Sequence, residues 1–425
     1  MKEDIRETRL ENGIVVLTDK MSGVRSATLG FFYRVGSRNE PDDLNGITHF
    51  IEHCVFKGTK KRSAMDIAIE QDRLGGTLDA FTTHEETGFV IKVIDDQIGA
   101  AFDLLADMLT DPRFDDADCV NEQRVIIEEM KMNEDSPEDL LSDIFHREFF
   151  PGHQLGMEIT GTPETVRTFD HARTLRFHRS AFSSENLVVV AAGNIDHDDV
   201  VGKVQSANFS WPAVAGGELK LELQAANIAA PIFIQHRADL EQAHIIIATP
   251  MVKAADPRRY AADLLSNGIG GGTSSRLWQK IREERGLAYS VGASTAMYND
   301  TGFFTVSAGT SPDQVDEVLD IVIDELRSVA QDGITQDELD LMKEQTRANV
   351  LLGLEDSAGR AGSLAQCEMV HGRQIPVEES LANLAAVTVE DIQSLAADCF
   401  QTDKIAFVAL GDLDGLTITR DRLAI

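Results

Sequence analysis

An internal repeat is the feature that most constrains how this chain can fold. The segment at residues 182–196, FSSENLVVVAAGNID, resembles the segment at 400–414, FQTDKIAFVALGDLD. Four residue pairs match at one offset of 218 positions: Phe182 with Phe400, Leu187 with Ile405, Gly193 with Gly411, and Asp196 with Asp414. A chain of 425 residues is also too long for one ordinary hydrophobic core. The repeat therefore predicts an N-terminal domain at 1–212, a linker at 213–230 rich in Pro and Gly, and a homologous C-terminal domain at 231–425.

Secondary-structure signals follow a similar order in the two halves. The first half has predicted strands at 13–20 and 25–37, helices at 47–56 and 64–74, a strand signal at 77–93, and helices at 96–110 and 115–134. The second has predicted strands at 232–236, 244–250, 287–295 and 302–309, and helices at 257–266, 273–285, 312–331 and 335–354. Strands and helices do not alternate strictly. The pattern favours an α+β fold in which each domain is a mostly antiparallel sheet packed against helices.

Charge and cysteine content exclude several classes of protein. The formal net charge of −32 leaves no basic stripe for nucleic acid. An acidic surface is more often a solubility device, but the same field also attracts basic peptides. The four cysteines are widely spaced, which argues against a disulfide framework or a cysteine zinc site; they are Cys54, Cys119, Cys367 and Cys399.

The N-terminal sequence does not predict a targeting signal. The first residues, MKEDIRETRLENG, are too acidic and polar for a secretory signal or an organelle presequence. No apolar run approaches the roughly 20 residues that span a bilayer. We therefore expect a cytoplasmic protein without a membrane span.

Residues 49–53 read HFIEH, within a predicted helix. Positions i and i+4 of a helix share one face, so His49 and His53 can direct ring nitrogens at one point, and Glu52 lies on the same face. Two imidazoles suit zinc, and a nearby carboxylate can accept a proton from water. The order H-x-x-E-H is the inverzincin pattern. The alternative is a cluster of polar side chains without a metal.

A catalytic zinc requires a third protein ligand, which the acidic helix at 117–135 can supply. Glu122 and Glu129 are seven residues apart and project from nearly the same face, whereas Glu128 is rotated by about 100°. Val125 and Ile126 share the side of Glu129, which predicts that this side is buried. A solvated acidic face is the alternative. We interpret Glu129 as a metal ligand and Glu122 as a carboxylate that orients a histidine.

Three stretches of the first half resemble the pitrilysin and insulin-degrading-enzyme family of metallopeptidases: GITHFIEHCVFKGTKKRS, LGGTLDAFTTHEET and VNEQRVIIEEMKMNEDSPEDLL. The likeness is greatest to half-length members such as the β subunit of mitochondrial processing peptidase and its bacterial relatives. In that family the third ligand follows the second histidine at the separation of His53 and Glu129, 76 residues. The resemblance implies one Zn²⁺ per chain on His49, His53 and Glu129, with Glu52 as general base on the zinc-bound water.

The second half carries a further resemblance. The stretch NGIGGGTSSRLWQKIREERGLAYSVGAS is similar to the family's glycine-rich loop and Arg…Tyr pair, here Arg282 and Tyr289. The resemblance implies that they contact the substrate backbone, with Tyr289 at the oxyanion. Taken by themselves, the two residues indicate only a surface arginine and a strand tyrosine.

The predicted substrate strand departs from the family at one position. Many members have Asn where this chain has Asp79, followed here by Ala80, Phe81 and Thr82, which keep the edge-strand pattern. Pairing of this edge strand with an extended peptide remains the expectation. The amide donor is absent, which leaves the role of Asp79 open and favours basic residues nearby.

The resemblance implies a zinc-dependent endopeptidase that cleaves unfolded oligopeptides in a closed chamber, each chain forming half of a clamshell. A homodimer in which Arg282 and Tyr289 act in trans is the expected assembly. Two alternatives are the catalytic subunit of a heterodimeric processing peptidase and a non-catalytic structural subunit. The sequence leaves the substrate and cleavage preference open, and Mn²⁺ or Co²⁺ are alternatives to zinc in the cell.

Overall fold

A computed structural model of the chain describes residues 3–207, 209 and 224–425. These residues divide into two compact units. The first is drawn from Met1–Met132, Met157–Gln224 and Leu351–Gln374, and the second from Asn133–Gly156, Ala225–Val350 and Ile375–Ile425. Of the predicted linker, 213–223 lies outside the described residues and 224–230 has no regular secondary structure. No described helix is both long and apolar enough to span a membrane.

The regular elements are numbered here in chain order. Up to residue 206 they are β1 (Ile5–Arg9), β2 (Val15–Lys20), β3 (Ser26–Tyr33), α1 (Ile47–Cys54), α2 (Ala64–Leu74), β4 (Thr77–Thr82), β5 (Thr87–Ile94), α3 (Ile98–Thr110), α4 (Asp116–Asp135), α5 (Pro137–Phe149), α6 (Pro163–Val166), α7 (His171–Ala181), β6 (Leu187–Gly193) and α8 (His197–Ser206). From residue 232 they are β7 (Ile232–His236), β8 (Ala243–Pro250), α9 (Arg259–Gly270), β9 (Ala288–Met297), β10 (Gly302–Thr310), α10 (Val315–Asp332), α11 (Gln336–Gly353), α12 (Ser357–His371), α13 (Val377–Ala386), α14 (Val389–Cys399) and β11 (Ala406–Gly411).

Each unit is built on one mixed sheet. The first sheet has the order β1-β2-β6-β3-β5-β4 and the second β7-β11-β8-β10-β9. Neighbouring strands are antiparallel except β2 with β6 and β7 with β11, which are parallel. The predicted α+β class is confirmed. The equivalent positions of β6 and β11 also match the 218-residue repeat.

Two local predictions differ from the structure. The strand signal at 77–93 is a hairpin of β4 and β5, because the Thr83 hydroxyl accepts hydrogen bonds from the backbone N–H groups of Glu85 and Glu86 and turns the chain. The helix expected at 273–285 contains a π-helical segment, Trp278–Glu283. Its wider turn is shown by the Glu284 N–H, which donates to Gln279 five residues back at 2.9 Å.

The helices α5 and α12 are exchanged between the two halves of the sequence. Phe145 and Phe149 of α5 pack against Ile246 and Val408 in the second unit. In the first unit, α12 packs against β2 and β6 through Ala361, Leu364 and Ala365. The exchanged segments, Asn133–Gly156 and Leu351–Gln374, lie 218 positions apart at both ends. They are therefore equivalent parts of the repeat, and the compact units differ from the predicted ranges 1–212 and 231–425 by this exchange.

We expect Arg360→Met to lower the free energy of unfolding by about 3–5 kcal/mol. Arg360 of α12 forms an ion pair with Asp19 of β2, and each side chain is only 3% exposed. The substitution leaves the Asp19 charge buried without its partner. Lys92→Met is the matched control, since it removes a half-exposed ion pair with Asp356 just before α12 and should cost at most about 1 kcal/mol. Urea unfolding measures the loss of stability in each variant. Equal losses would contradict the burial of the Arg360–Asp19 ion pair between α12 and β2.

Candidate metal centre

The helix α1 begins against a buried carboxylate. Glu40 accepts hydrogen bonds from the backbone N–H groups of Gly46 and Thr48, each at 2.7 Å. Burial raises the pKa of Glu40 to about 7. Gly46 has φ +93°, and a Cβ there would lie 2.5 Å from the carbonyl oxygen of Thr160. Glycine is therefore required at the start of this helix, and Glu40 satisfies donors that the first turn leaves free.

Apolar residues set the rotation of α1. Ile47, Phe50 and Ile51 are fully buried in the core of the first unit. His49 and His53 project from another side of the helix, and their ring centroids lie 4.6 Å apart. The i, i+4 spacing of the two histidines places both rings on one side of α1. Burial of the apolar residues on the other side turns this histidine side toward α4.

Glu129 of α4 faces both histidines. Its Oε1 lies 3.8 Å from His49 Nε2 and its Oε2 lies 3.6 Å from His53 Nε2. Ligand atoms at about 2.0–2.1 Å from a tetrahedral zinc are about 3.3 Å from each other. One ligand atom from each of the three residues lies within 4.8 Å of the other two. The donor set and its spacing therefore fit a zinc ion with minor adjustment.

The burial of α4 differs in part from the sequence-based expectation. Ile126 is fully buried, as expected, but Val125 is 47% exposed. The expectation that Val125 shares a buried side was therefore wrong. The Glu129 side chain is half-buried, at 38% exposed, whereas the Glu128 side chain is 70% exposed and pairs with Lys131. The helix thus separates two adjacent glutamates, one beside the histidines and one toward solvent.

The protonation state of His49 favours metal binding. Burial lowers the pKa of His49 to about 3, and the charge of His53 acts in the same direction. The ring of His49 is therefore neutral near pH 7, which a metal ligand requires. Burial opposes protonation of His53, but the carboxylates around it, led by Glu122, outweigh burial and raise its pKa.

Glu122 lies beside Nδ1 of His53, the ring nitrogen that does not face Glu129. Its Oε2 lies 3.4 Å from His53 Nδ1, and its Oε1 lies 2.9 Å from the ammonium of Lys57. Glu122 is only 4% exposed; burial disfavours its charge, but His53 and Lys57 outweigh burial and lower its pKa. An ionised carboxylate at Nδ1 holds the His53 ring with Nε2 toward Glu129. Sequence reasoning missed Lys57, although its i+4 spacing from His53 was a usable signal.

We expect Glu122→Gln to weaken zinc binding by about 10–100-fold, because the neutral amide supports His53 less strongly than a carboxylate does. Competition with a chromophoric chelator measures the affinity. Glu128→Gln, on the exposed side of α4, is the control and should leave the affinity unchanged. An unchanged affinity in Glu122→Gln would show that the carboxylate does not support the ligand.

Glu52 is held by the edge strand of the first sheet. The Thr82 hydroxyl donates to Glu52 Oε2 at 2.6 Å. Burial raises the pKa of Glu52, and the Thr82 hydrogen bond acts against this shift. Thr82 ends β4. The sequence places it on the edge strand after Phe81 but does not indicate its contact with Glu52. The geometry joins the predicted general base to the predicted substrate strand.

Asp79, Ala80 and Phe81 all lie on β4, at one edge of the first sheet. β4 pairs with β5, and no other described strand pairs with it. Asp79 is exposed, while the ring of Phe81 packs on that of Phe32 at a centroid distance of 6.1 Å. The outer edge of β4 therefore carries backbone groups that an added strand can reach.

Arg282 and Tyr289 lie in the second unit, at the π-helical segment and the start of β9. The Arg282 guanidinium carbon lies 4.6 Å from the centroid of the Tyr289 ring and 4.1 Å from that of Trp278. Tyr289 is 78% exposed. The structure thus brings Arg282 and Tyr289 into contact. It adds Trp278, which the i, i+4 spacing from Arg282 could have indicated.

Both halves of the chain match known protein families. Residues 15–163 match the family described as insulinase (peptidase family M16), and residues 168–346 match the peptidase M16 inactive domain. An uncharacterized zinc protease of Streptomyces coelicolor is 39% identical over 399 residues, covering 93% of this chain and 87% of the relative. This chain belongs to peptidase family M16. A second M16 relative, an uncharacterized zinc protease of Bacillus subtilis, is 33% identical over 94% of this chain and 96% of its own.

Solved structures share the M16 fold. A protease from Helicobacter pylori matches with a TM-score of 0.90 at 21% identity, covering 96% of this chain and 100% of its own. A peptidase M16 inactive domain from Pseudomonas fluorescens matches with a TM-score of 0.87 at 20% identity, covering 96% and 98%. Among the described residues, the group that could hold a metal is that of His49, His53 and Glu129 in the first unit. The two halves of this M16 chain therefore share an architecture, but the candidate metal ligands found among the described residues all lie in the first half.

Proposed function

We propose that this M16 protein is a zinc-dependent endopeptidase that cleaves unfolded oligopeptides. The observation that carries the proposal is the convergence of His49, His53 and Glu129 within 4.8 Å, with Glu52 between the two histidines in sequence. Two histidines and a glutamate form a known set of catalytic zinc ligands, which leaves a position for water or substrate.

The residues around the ligands define the chemistry. When bound, zinc polarises the scissile carbonyl and makes water a stronger acid. Glu52, fixed by the hydroxyl of Thr82, accepts a proton from the attacking water and delivers it to the leaving amine. Glu122, paired with Lys57, keeps the His53 ring oriented through the reaction.

The substrate class follows from the free edge of β4. An extended peptide can add to this edge through backbone hydrogen bonds, whereas a folded protein rarely offers a free extended segment. The net charge of −32 favours basic peptides, and Asp79 is exposed on the same strand. Arg282 and Tyr289 would hold the substrate backbone near the scissile bond.

Hydrolysis of an unstructured basic peptide of about 20 residues by the purified chain alone tests the proposal. We expect cleavage within the peptide that stops on addition of a chelator and resumes when zinc is restored. A zinc-loaded chain that leaves the peptide intact would contradict a self-sufficient peptidase.

For the assembly, we infer a homodimer in which Arg282 and Tyr289 act on the metal centre of the partner chain. Each chain contains both the metal ligands and this pair, so two copies supply two complete sites. Co-expression of differently tagged Glu52→Gln and Arg282→Ala chains tests this. Random pairing makes half of the dimers mixed, each with one intact site, so about one quarter of the wild-type activity should return. Activity no higher than that of the parent variants would contradict action in trans. Light scattering of the purified protein gives its mass and so distinguishes a dimer from a monomer.

A further inference from the structure

The guanidinium of Arg282 contacts two aromatic rings. Its carbon is 4.1 Å from the ring centroid of Trp278 and 4.6 Å from that of Tyr289. The side chain makes no hydrogen bond or ion pair with the described residues. Its N–H groups point outward in the guanidinium plane, so they stay available to carbonyl or carboxylate oxygens while the two rings contact the cation.

Local structure makes this arrangement. Leu277 and Ile281 are fully buried and anchor the turn in the core of the second unit. Trp278 and Arg282 each follow one of these anchors, so they share the adjacent, outer side of the turn. The indole N–H of Trp278 donates to Glu283 Oε1 at 3.1 Å, which fixes the plane of the ring.

Gly286 then returns the chain toward Tyr289. With φ +63°, it reverses the backbone between the π-helical segment and β9. Tyr289 is the second residue of β9 and is 78% exposed, so its ring lies on the surface where it contacts Arg282. The two rings that contact Arg282 therefore come from different elements: Trp278 from the π-helical segment and Tyr289 from β9.

We propose that Trp278 is a positioning residue that holds Arg282 ready to bind the peptide backbone. The inference rests on the proposed function, in which Arg282 contacts substrate. An exposed arginine normally loses much rotational freedom when it binds a ligand, and that loss weakens binding. The fixed indole reduces the loss because it restricts the guanidinium before the substrate arrives. Trp278 thereby increases the affinity for peptide without touching it.

Peptide binding to zinc-loaded Glu52→Gln protein tests this, because binding requires no hydrolysis. Fluorescence anisotropy of a labelled, unstructured basic peptide reports the affinity. In this background we expect Trp278→Leu to weaken binding by about two- to fivefold, which corresponds to loss of one exposed cation–π contact. Trp278→Phe, which keeps an aromatic face, should restore most of the affinity. In an Arg282→Gln background, Trp278→Leu should cause no further loss.

Tyr260→Leu is the matched control. It removes another arginine–aromatic contact in the second unit, where the Arg259 carbon lies 4.3 Å from the Tyr260 ring, and it should leave peptide affinity unchanged. Thermal unfolding of each variant separates lost positioning from lost folding. Trp278→Met, which also lacks an aromatic face, replaces Trp278→Leu if that variant does not fold.

The outcomes separate the inference from the proposed function. Equal losses from Trp278→Leu with and without Arg282 would overturn the inference, because a merely structural tryptophan acts independently of the arginine. Unchanged affinity in Trp278→Leu, or no peptide binding by the Glu52→Gln protein, would overturn it as well. Hydrolysis by the unmodified chain decides the proposed function separately.

Discussion

Glu52→Gln should lower peptide hydrolysis by about 100- to 10,000-fold while the protein keeps its zinc. The amide has nearly the shape of the carboxylate and can still accept the Thr82 hydrogen bond, which measures 2.6 Å to the carboxylate. It cannot accept a proton from water. Because Glu52 lies outside the group of His49, His53 and Glu129, metal binding should persist.

Two measurements on the same sample check this result. Elemental analysis gives the zinc content, and cleavage of a quenched fluorescent peptide gives kcat/KM. Thr82→Val is the companion variant: it removes the hydroxyl but leaves the carboxylate, and its loss should be smaller than that of Glu52→Gln. Hydrolysis by Glu52→Gln at the wild-type rate would exclude Glu52 as the general base. Loss of zinc from Glu52→Gln would instead indicate that Glu52 is a metal ligand.

Glu129→Gln should lose zinc, and its neighbour variant Glu128→Gln should not. The Glu129 carboxylate lies 3.8 Å and 3.6 Å from the Nε2 atoms of His49 and His53. Glu128 is 70% exposed and pairs with Lys131 instead. The two substitutions change the chain's charge equally, one residue apart on the same helix. A difference between them therefore reports the ligand position rather than electrostatics.

The expected loss of zinc affinity in Glu129→Gln exceeds the roughly 10–100-fold expected for Glu122→Gln, because a direct ligand is removed. Dialysis against a weak chelator followed by metal analysis measures this, and hydrolysis should fall to background. Thermal unfolding adds a readout independent of activity. Zinc that binds only the folded chain raises its stability, and this increase should be lost in Glu129→Gln and kept in Glu128→Gln. Zinc retained by Glu129→Gln, or lost by Glu128→Gln, would contradict the assignment.

Much of the candidate metal centre could be predicted because helix geometry is local. The i, i+4 spacing of His49 and His53 and the seven-residue spacing of Glu122 and Glu129 each determine a face without knowledge of the rest of the fold. The structure brings these four residues together. The burial of Val125 was predicted wrongly, because the apolar face of α4 is narrower than its sequence indicates.

Contacts between distant segments could not be predicted in this way. Thr82 meets Glu52 across 30 residues of chain. Tyr289 reaches Arg282 only because Gly286 turns the chain between them. Such contacts depend on how whole elements pack, and no periodicity within one element encodes them.

The internal repeat, the α+β class and the pattern of candidate metal ligands were all readable in the amino-acid sequence. Which helix covers which sheet became visible only in the folded chain, where the segments Asn133–Gly156 and Leu351–Gln374 are exchanged between the two units. The physical reason is that an apolar helix face shows only that it must be buried. Because the two sheets descend from one repeat, either could offer a suitable surface, and only the packing of the complete chain selects between them.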